Sequence, residues 1–328
     1  MLKDRLDSEH CGNDSCEANA FCLPVNYFSI ALGMLSGGLA FRHGSLALSI
    51  PIIYSQIFLS IAAVIWAVLM VSYLYKWVYF SCVAKQELGN IIQCCFISLI
   101  PITTILMGIA LFPRQHFAAE IMMFVGIVGQ LLFAAYRAAG LWRGTHTIEA
   151  TTPIIYLPSV ASPFASTMAL GVLHQQHWAM LFFGAGIFSW ISLEASILHR
   201  LRTGSPLSAA TRGVLGIQLA PAFVGCAAYL TATGGHIDLF SEALIGYGLL
   251  NLIYLIRLIP WVFEAGFSLS MWAYSFGFGS MANVGIFLYE DQGFNELGIL
   301  GIPLFLIGLF AICLLAITTV IHLFRNNS

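Results

Sequence analysis

LPVNYFSIALGMLSGG (residues 23–38), LIPITTILMG (99–108), YLPSVASPFASTMALG (156–171) and LAPAFVGCAAYL (219–230) are four versions of one design. Each is an apolar run with a proline near its start, followed by glycine, alanine, serine or threonine. A fifth run, 262–288, has no proline but carries Ser275, Gly277, Gly279 and Ser280. Between these lie bulkier apolar runs that mostly finish on bases: Lys76, Arg137 to Arg143, Arg200, Arg257 and Arg325. Proline within a helix removes a hydrogen bond and bends the axis. Small residues let helix backbones approach closely or line a passage. Bulky faces suit lipid. The alternation predicts an all-α integral membrane protein. Its ten transmembrane helices form five helical hairpins in a quasi-fivefold arrangement, with five kinked inner helices around a central pore. The competing reading is ordinary packing, because proline and glycine are frequent in membrane helices.

Working outward, an apolar stretch of about 20 residues spans a bilayer. The chain offers ten: Leu23–Phe41, Pro51–Tyr75, Cys94–Phe112, Phe117–Gly140, Ile154–Leu173, Trp178–Leu198, Gly213–Thr233, Leu239–Ile259, Val262–Leu288 and Ile299–Phe324. None alternates polar and apolar as barrel strands do. Of the 328 residues 59% are hydrophobic and 9% charged, too few charges for a water-facing surface of this size. A net charge of −2 argues against nucleic acid as a partner. With ten crossings both termini share one side, and that side collects Lys3, Arg5, Lys76, Lys85, Arg137, Arg143, Arg200, Arg202, Arg212, Arg257 and Arg325. The other side holds Arg42 and Arg114 alone. The positive-inside rule makes both termini cytoplasmic. Residues 1–22 mix charges of both signs, lack the order of a signal peptide, and read as a short soluble tail before a transmembrane domain at 23–325.

The inner runs contain no central Lys or Arg, so an ion path along them relies on dipoles and polar hydrogens rather than on rings of fixed charge. Kinks at Pro101, Pro158, Pro163 and Pro221 are expected to present N–H groups, and Thr103, Thr104, Ser159, Ser162 and Ser275 hydroxyl donors. Such a path favours small anions and ranks them by dehydration energy. Glu194, Arg137 and Arg257 sit on outer runs, and structural pairing with each other, with backbone carbonyls or with head groups is the expected role. Cys82, Cys94, Cys95, Cys226 and Cys313 read as small core residues. Cys11, Cys16 and Cys22 match no zinc spacing, and His174 and His177 read as surface residues. No cofactor or metal is therefore expected. An intramembrane enzyme is disfavoured, because HExxH is absent and no inner run carries Asp.

Seven motifs sharpen this reading: GLWRGTH (140–146), EATTPIIYLP (149–158), FFGAGIFSWISLEASIL (182–198), LGIQLAPAFV (215–224), GYGLL (246–250), LIRLIPW (255–261) and WAYSFG (272–277). In order and spacing they resemble the tellurite-resistance/dicarboxylate transporter family, whose fold is shared with the slow-type anion channels of plant guard cells. The resemblance implies a homotrimer in the bacterial inner membrane, with one gated anion pore per protomer. It implies a phenylalanine plug on the ninth helix, which falls on Phe276, facing Ser29 and Val224. On composition alone Phe276 reads as core, one of 25 phenylalanines. The chain departs from the family where Asn26 and Ser29 replace glycine and where Ala195 replaces the proline after Glu194. A proton-coupled dicarboxylate transporter or efflux protein is the alternative that the family's name allows.

Overall fold

The computed structural model describes residues 23–144, 146–291 and 295–326. The tail 1–22, with its three cysteines, lies outside them. Among the described residues the chain is helical, with no strand. Its longer α-helices are α1 (Phe28–Ala47), α2 (Ile53–Tyr79), α3 (Leu99–Leu111), α4 (His116–Leu141), α5 (Ser162–Val172), α6 (Gln176–Thr203), α7 (Ala220–Thr233), α8 (Leu239–Val262), α9 (Ser275–Glu290) and α10 (Gly301–Asn326). Eight helical stretches are long and apolar enough to cross a membrane: Ile53–Tyr79, Gln93–Leu111, His116–Arg137, Pro153–Val172, Gln176–Thr203, Ala209–Thr233, Leu239–Ala265 and Glu296–Arg325. The sequence stretches 23–41 and 262–288 are not among them. In α1 four glycines, Arg42 and His43 dilute the apolar residues. Run 262–288 is broken: Val262 ends α8, a turn and a loop follow, and α9 itself has 16 residues.

The inner helices are built in two parts. Short 3-10 segments, Val25–Tyr27, Ala209–Leu219 and Leu269–Tyr274, lead into α1, α7 and α9. The turn Gln93–Ile97 leads into α3, and a π-turn at Leu157–Ala161 leads into α5. The prolines mark these junctions. Pro101, Pro163 and Pro221 fall in the first turns of α3, α5 and α7, where an N–H has no intrahelical acceptor to lose. They start α-helices rather than bend them midway. The π-turn arises where Pro158 and Pro163 withhold the donors that a regular helix would aim four residues back.

α1 packs on α3, α3 on α5, α5 on α7, α7 on α9, and α9 back on α1. Each then packs on the helix that follows it outside: α2, α4, α6, α8 and α10. Burial separates the two sets, since 94% of the apolar core of Ala209–Thr233 is buried against 22% of that of Ile53–Tyr79. Val64, Val71, Leu74, Phe124, Leu132, Phe188, Ile191 and Phe310 are exposed on outer helices. An apolar surface of that extent needs lipid.

Small residues set the closest crossing. A Cβ on Gly33 of α1 would collide with Ser275 Oγ of α9, and one on Gly279 of α9 with Ser36 Oγ of α1. Gly279→Val is therefore expected to destabilise the detergent-solubilised protein by about 1–3 kcal/mol, read as a lower thermal unfolding midpoint. An unchanged midpoint would show that the two helices can separate freely. Of the cysteines, Cys94, Cys95 and Cys226 are buried as expected, but Cys313 is exposed on α10. Cys82, in the short helix Ser81–Gly89, is disulfide-bonded rather than a core thiol.

At the start of α8, Asp238 forms a capping box with Ser241 and accepts from Tyr229 Oη at 2.5 Å. Burial raises the Asp238 pKa, but the bonds from Tyr229 and Ser241 outweigh it and hold it below the ordinary value. A depressed folded pKa stabilises the fold above the ordinary carboxylate range, and that contribution fades as pH falls through the lowered value. Asp238→Ala should cost about 1 kcal/mol near neutral pH. The difference from wild type in unfolding midpoint should shrink on strong acidification.

Candidate functional site

Two cavities lie between the same inner segments, at two levels. The first is lined by Ser29 and Leu32, by Phe96 and Leu99, by Tyr156, Leu157, Val160, Ala161 and Phe164, by Ile217, Ala220, Pro221 and Val224, and by Trp272, Ala273 and Phe276. Its free volume is about 30 Å³, room for roughly one or two water molecules. The second is lined by Leu39, Arg42, His43 and Leu46 of α1, Ile109 of α3, Met168 and Val172 of α5, Thr231 of α7, and Asn283 and Phe287 of α9, with a free volume of about 290 Å³. All five inner helices give their N-terminal part to the first cavity and their C-terminal part to the second, so they run parallel. Leu32 to Leu39, Val224 to Thr231 and Phe276 to Asn283 are equal steps in sequence. Each is two helical turns, or about 10 Å.

The first cavity is apolar apart from Ser29 and Tyr156. No acidic or basic side chain lines it. The α-helical parts of the inner segments begin at Phe28, Leu99, Ser162, Ala220 and Ser275, beside its walls. With the lead-ins that continue them backward, the N-terminal halves of the inner segments surround it, and so do the positive sides of their dipoles. Tyr156 is fixed from behind. Its hydroxyl donates to Glu194 Oε2 on α6, which also accepts from Trp190 Nε1 at 2.9 Å, while Glu194 Oε1 accepts from Tyr247 Oη at 2.6 Å. The carboxylate is thus satisfied by aromatic donors, not by the arginines, carbonyls or head groups expected from sequence. It holds a wall residue of the cavity without lining it.

The second cavity is lined by one basic side chain, Arg42, and one histidine, His43. Arg42 Nη1 donates to Ala110 O at 2.8 Å and Nη2 to Ile109 O at 3.1 Å. It caps the C-terminus of α3, where carbonyls lack helical donors. No carboxylate pairs with Arg42 among the described residues. Next to it, His43 bonds Asn283 Oδ1 through Nδ1 and Glu290 Oε2 through Nε2, both at 2.8 Å.

Of the residues singled out in the sequence, Ser29, Pro221, Val224 and Phe276 meet in the first cavity. Pro158 is buried in the π-turn behind its wall. Pro101 turns outward, its Cβ and carbonyl against Gly129 and Gly126 of α4. Thr103 and Ser275 are fully buried outside both cavities. The hydroxyl hydrogens are spent locally: Ser29 on Asn26 O, Thr103 and Thr104 on Ile100 O, Ser159 on Ile155 O, Ser162 on Leu157 O and Ser275 on Trp272 O. They leave oxygens, not hydrogens, to face outward. Sequence reasoning missed Tyr156, Arg42 and His43. Tyr156 stands directly before the Leu-Pro of the third inner run, a signal that was available. Arg42 and His43 fell just past the end of the first apolar run.

A family model described as SLAC1, voltage-dependent anion channel, matches residues 22–321. The chain is 38% identical over 273 residues, 83% of each chain, to a protein of Haemophilus influenzae named tellurite resistance protein TehA homolog. Two proteins of Methanocaldococcus jannaschii named as uncharacterized transporters are each 22% identical over 261 residues, 73% of this chain. The match spans the described helices almost end to end and includes both cavities. The chain belongs to the SLAC1 family, and it is a multi-pass membrane protein of the anion transporter and channel kind.

Proposed function

We propose that this protein is a gated anion channel that conducts small monovalent anions such as chloride and nitrate along the axis enclosed by its inner helices. The observation that carries the reading is the stacking of two cavities on that axis, the first narrowed to about 30 Å³ with Phe276 in its wall. Phe276 is then the gate. Ser29, Leu32, Tyr156, Pro221 and Val224 line the neck around it. Pro101, Thr103, Pro158 and Ser275 shape the path by placing the junctions and crossings of the inner helices. Charge selection comes from the positive helix ends around the neck and from Arg42 in the wider cavity. Neither binds an anion as tightly as a closed ring of arginines, which suits conduction.

In this reading the chain crosses the membrane ten times as five hairpins in quasi-fivefold order. The short α9 completes its crossing through Leu269–Tyr274. The protein sits in a bacterial inner membrane as a homotrimer, with the basic ends of α2, α4 and α6 cytoplasmic. A part in tellurite resistance follows from the name of the Haemophilus relative. The rival reading, a proton-coupled dicarboxylate or oxyanion transporter, draws on the His43–Glu290 pair at the second cavity. Planar-bilayer recording under opposed chloride and nitrate gradients separates the two. A channel gives currents whose reversal potentials follow the anion gradient and ignore a pH gradient. Reversal that moves with pH, together with pH-driven uptake of labelled dicarboxylate, would replace this proposal with the transporter.

A further inference from the structure

The outer helices α2, α4 and α6 end in one repeated contact. A base near each C-terminus reaches the backbone carbonyl of a neighbouring segment: Lys76 to Leu23 O, Arg137 to Ile91 O at 2.9 Å, and Arg200 to Ser205 O at 2.8 Å. The first of these charges is balanced within the protein, because Lys76 Nζ also meets Glu87 at 2.9 Å. The other two are not. Arg137 is 8% exposed and Arg200 5%, and the Nε of each is buried without a partner. Among the described residues no carboxylate pairs with either. Helix C-terminal carbonyls offset part of such a charge, but a buried cation lacking a counter-ion still costs several kcal/mol.

Each of these arginines also lines a cavity. That of Arg137 is about 480 Å³ and includes Asn90 and Arg143. That of Arg200 is about 410 Å³ and includes Arg202. Neither is lined by Asp or Glu. Asn90 Oδ1 already accepts from the N–H groups of Ile92 and Gln93, both at 2.9 Å, so its amide hydrogens remain for another acceptor. His146 lies within electrostatic reach of Arg137, has both ring nitrogens buried without partners, and has its pKa lowered by burial and by that charge. Two arginines, one buried and one at the rim, match the bidentate recognition of a phosphate group. α4 and α6 run parallel, each antiparallel to its inner neighbour, so both cavities open on the same membrane face.

We propose that the ends of α4 and α6 form two like-built phosphate-binding sites, separate from the central cavities, which take the singly charged phosphate of an anionic lipid headgroup or of a free phosphate ion. The proposal stands whether or not the protein conducts anions.

The test uses the full-length protein in detergent, stripped of lipid. Thermal unfolding is followed while inorganic phosphate is titrated at constant ionic strength. Native mass spectrometry follows retention of phosphatidylglycerol against phosphatidylcholine. Arg143→Gln and Arg202→Gln remove rim charges, and Arg137→Lys keeps a charge able to hold Ile91 O while losing the planar fork. The expected result is stabilisation of wild type by phosphate, by phosphatidylglycerol or by both. Apparent affinity should weaken about tenfold when Arg143→Gln and Arg202→Gln are combined, while each single variant, Arg137→Lys included, should lose about half of the binding stoichiometry and keep the affinity of the remaining site. Protection by phosphate alone assigns a free anion, and retention of phosphatidylglycerol alone assigns the headgroup. No effect of either ligand on wild type, or equal effects on wild type and all three variants, would overturn the proposal.

Discussion

Phe276→Ala should raise the anion current of the purified protein in planar bilayers by at least about tenfold, with reversal potentials unchanged. The wild-type neck has room for roughly one or two waters, so an anion entering it loses most of its hydration shell. The surrounding wall is apolar, and the hydroxyl hydrogens nearest to it are committed to carbonyls. An ion therefore meets a dehydration barrier of several kcal/mol, and each 1.4 kcal/mol removed raises the rate about tenfold. Removing the phenyl ring widens the neck that Ser29 and Val224 also line and lets water follow the ion. The substitution also removes core contacts. A buried Phe→Ala change costs up to about 3–5 kcal/mol, although Phe276 borders an existing cavity and loses fewer neighbours than a fully packed ring. Phe276→Leu keeps bulk with a smaller profile and should give an intermediate current at near-wild-type thermal stability. Equal currents in wild type and both variants, with unfolding midpoints that show folded protein, would remove Phe276 from the gate and return it to the core.

Much of the architecture was legible because lipid and helix neighbours ask for different side chains. Outer helices must present large apolar groups to hydrocarbon, as Val64, Phe124 and Phe188 do. Inner helices need Gly33, Ser36 and Gly279 where their backbones touch. That contrast survives in a single sequence as alternation between runs. That Ser29, Val224 and Phe276 share one level was implied by the family resemblance of their motifs, not by composition or spacing; the structure adds Pro221 to them. The destination of the hydroxyl hydrogens was not taken into account. Serine and threonine in helices routinely bond carbonyls three or four residues back, and this local partner wins over an open cavity. The roles of Arg42 and Glu194 depend on partners distant in sequence, Ala110 for one and Tyr156 and Tyr247 for the other. No local pattern announces such pairs. The prolines misled for a similar reason. A proline in a helical run signals either a bend or a start; Pro163 and Pro221 start α-helices after a π and a 3-10 lead-in, and Pro101 does so after a single α-helical turn.

Arg42 carries the second large effect. Arg42→Glu should lower anion current by more than tenfold at low salt, and Arg42→Gln by less. Both should produce rectification, because the charge is changed at one end of the path only. At an effective dielectric constant near 20, a unit charge about 5 Å from a passing anion contributes roughly 3 kcal/mol. Converting attraction into repulsion about doubles the change. Mobile ions shield the cavity as salt rises, so the deficit should shrink toward 1 M salt, where the Debye length is about 3 Å. This salt dependence separates a charge effect from damage to the fold. Arg42 also caps α3 through Ile109 and Ala110, and loss of those bonds would lower current equally at every salt concentration. Arg42→Lys keeps the charge while reducing the cap, so it should conduct nearly as wild type even if its unfolding midpoint falls. A current indifferent to the sign at position 42, in protein with normal stability, would place the anion path away from the second cavity. The helix ends around Phe276 would then be the main source of charge selection.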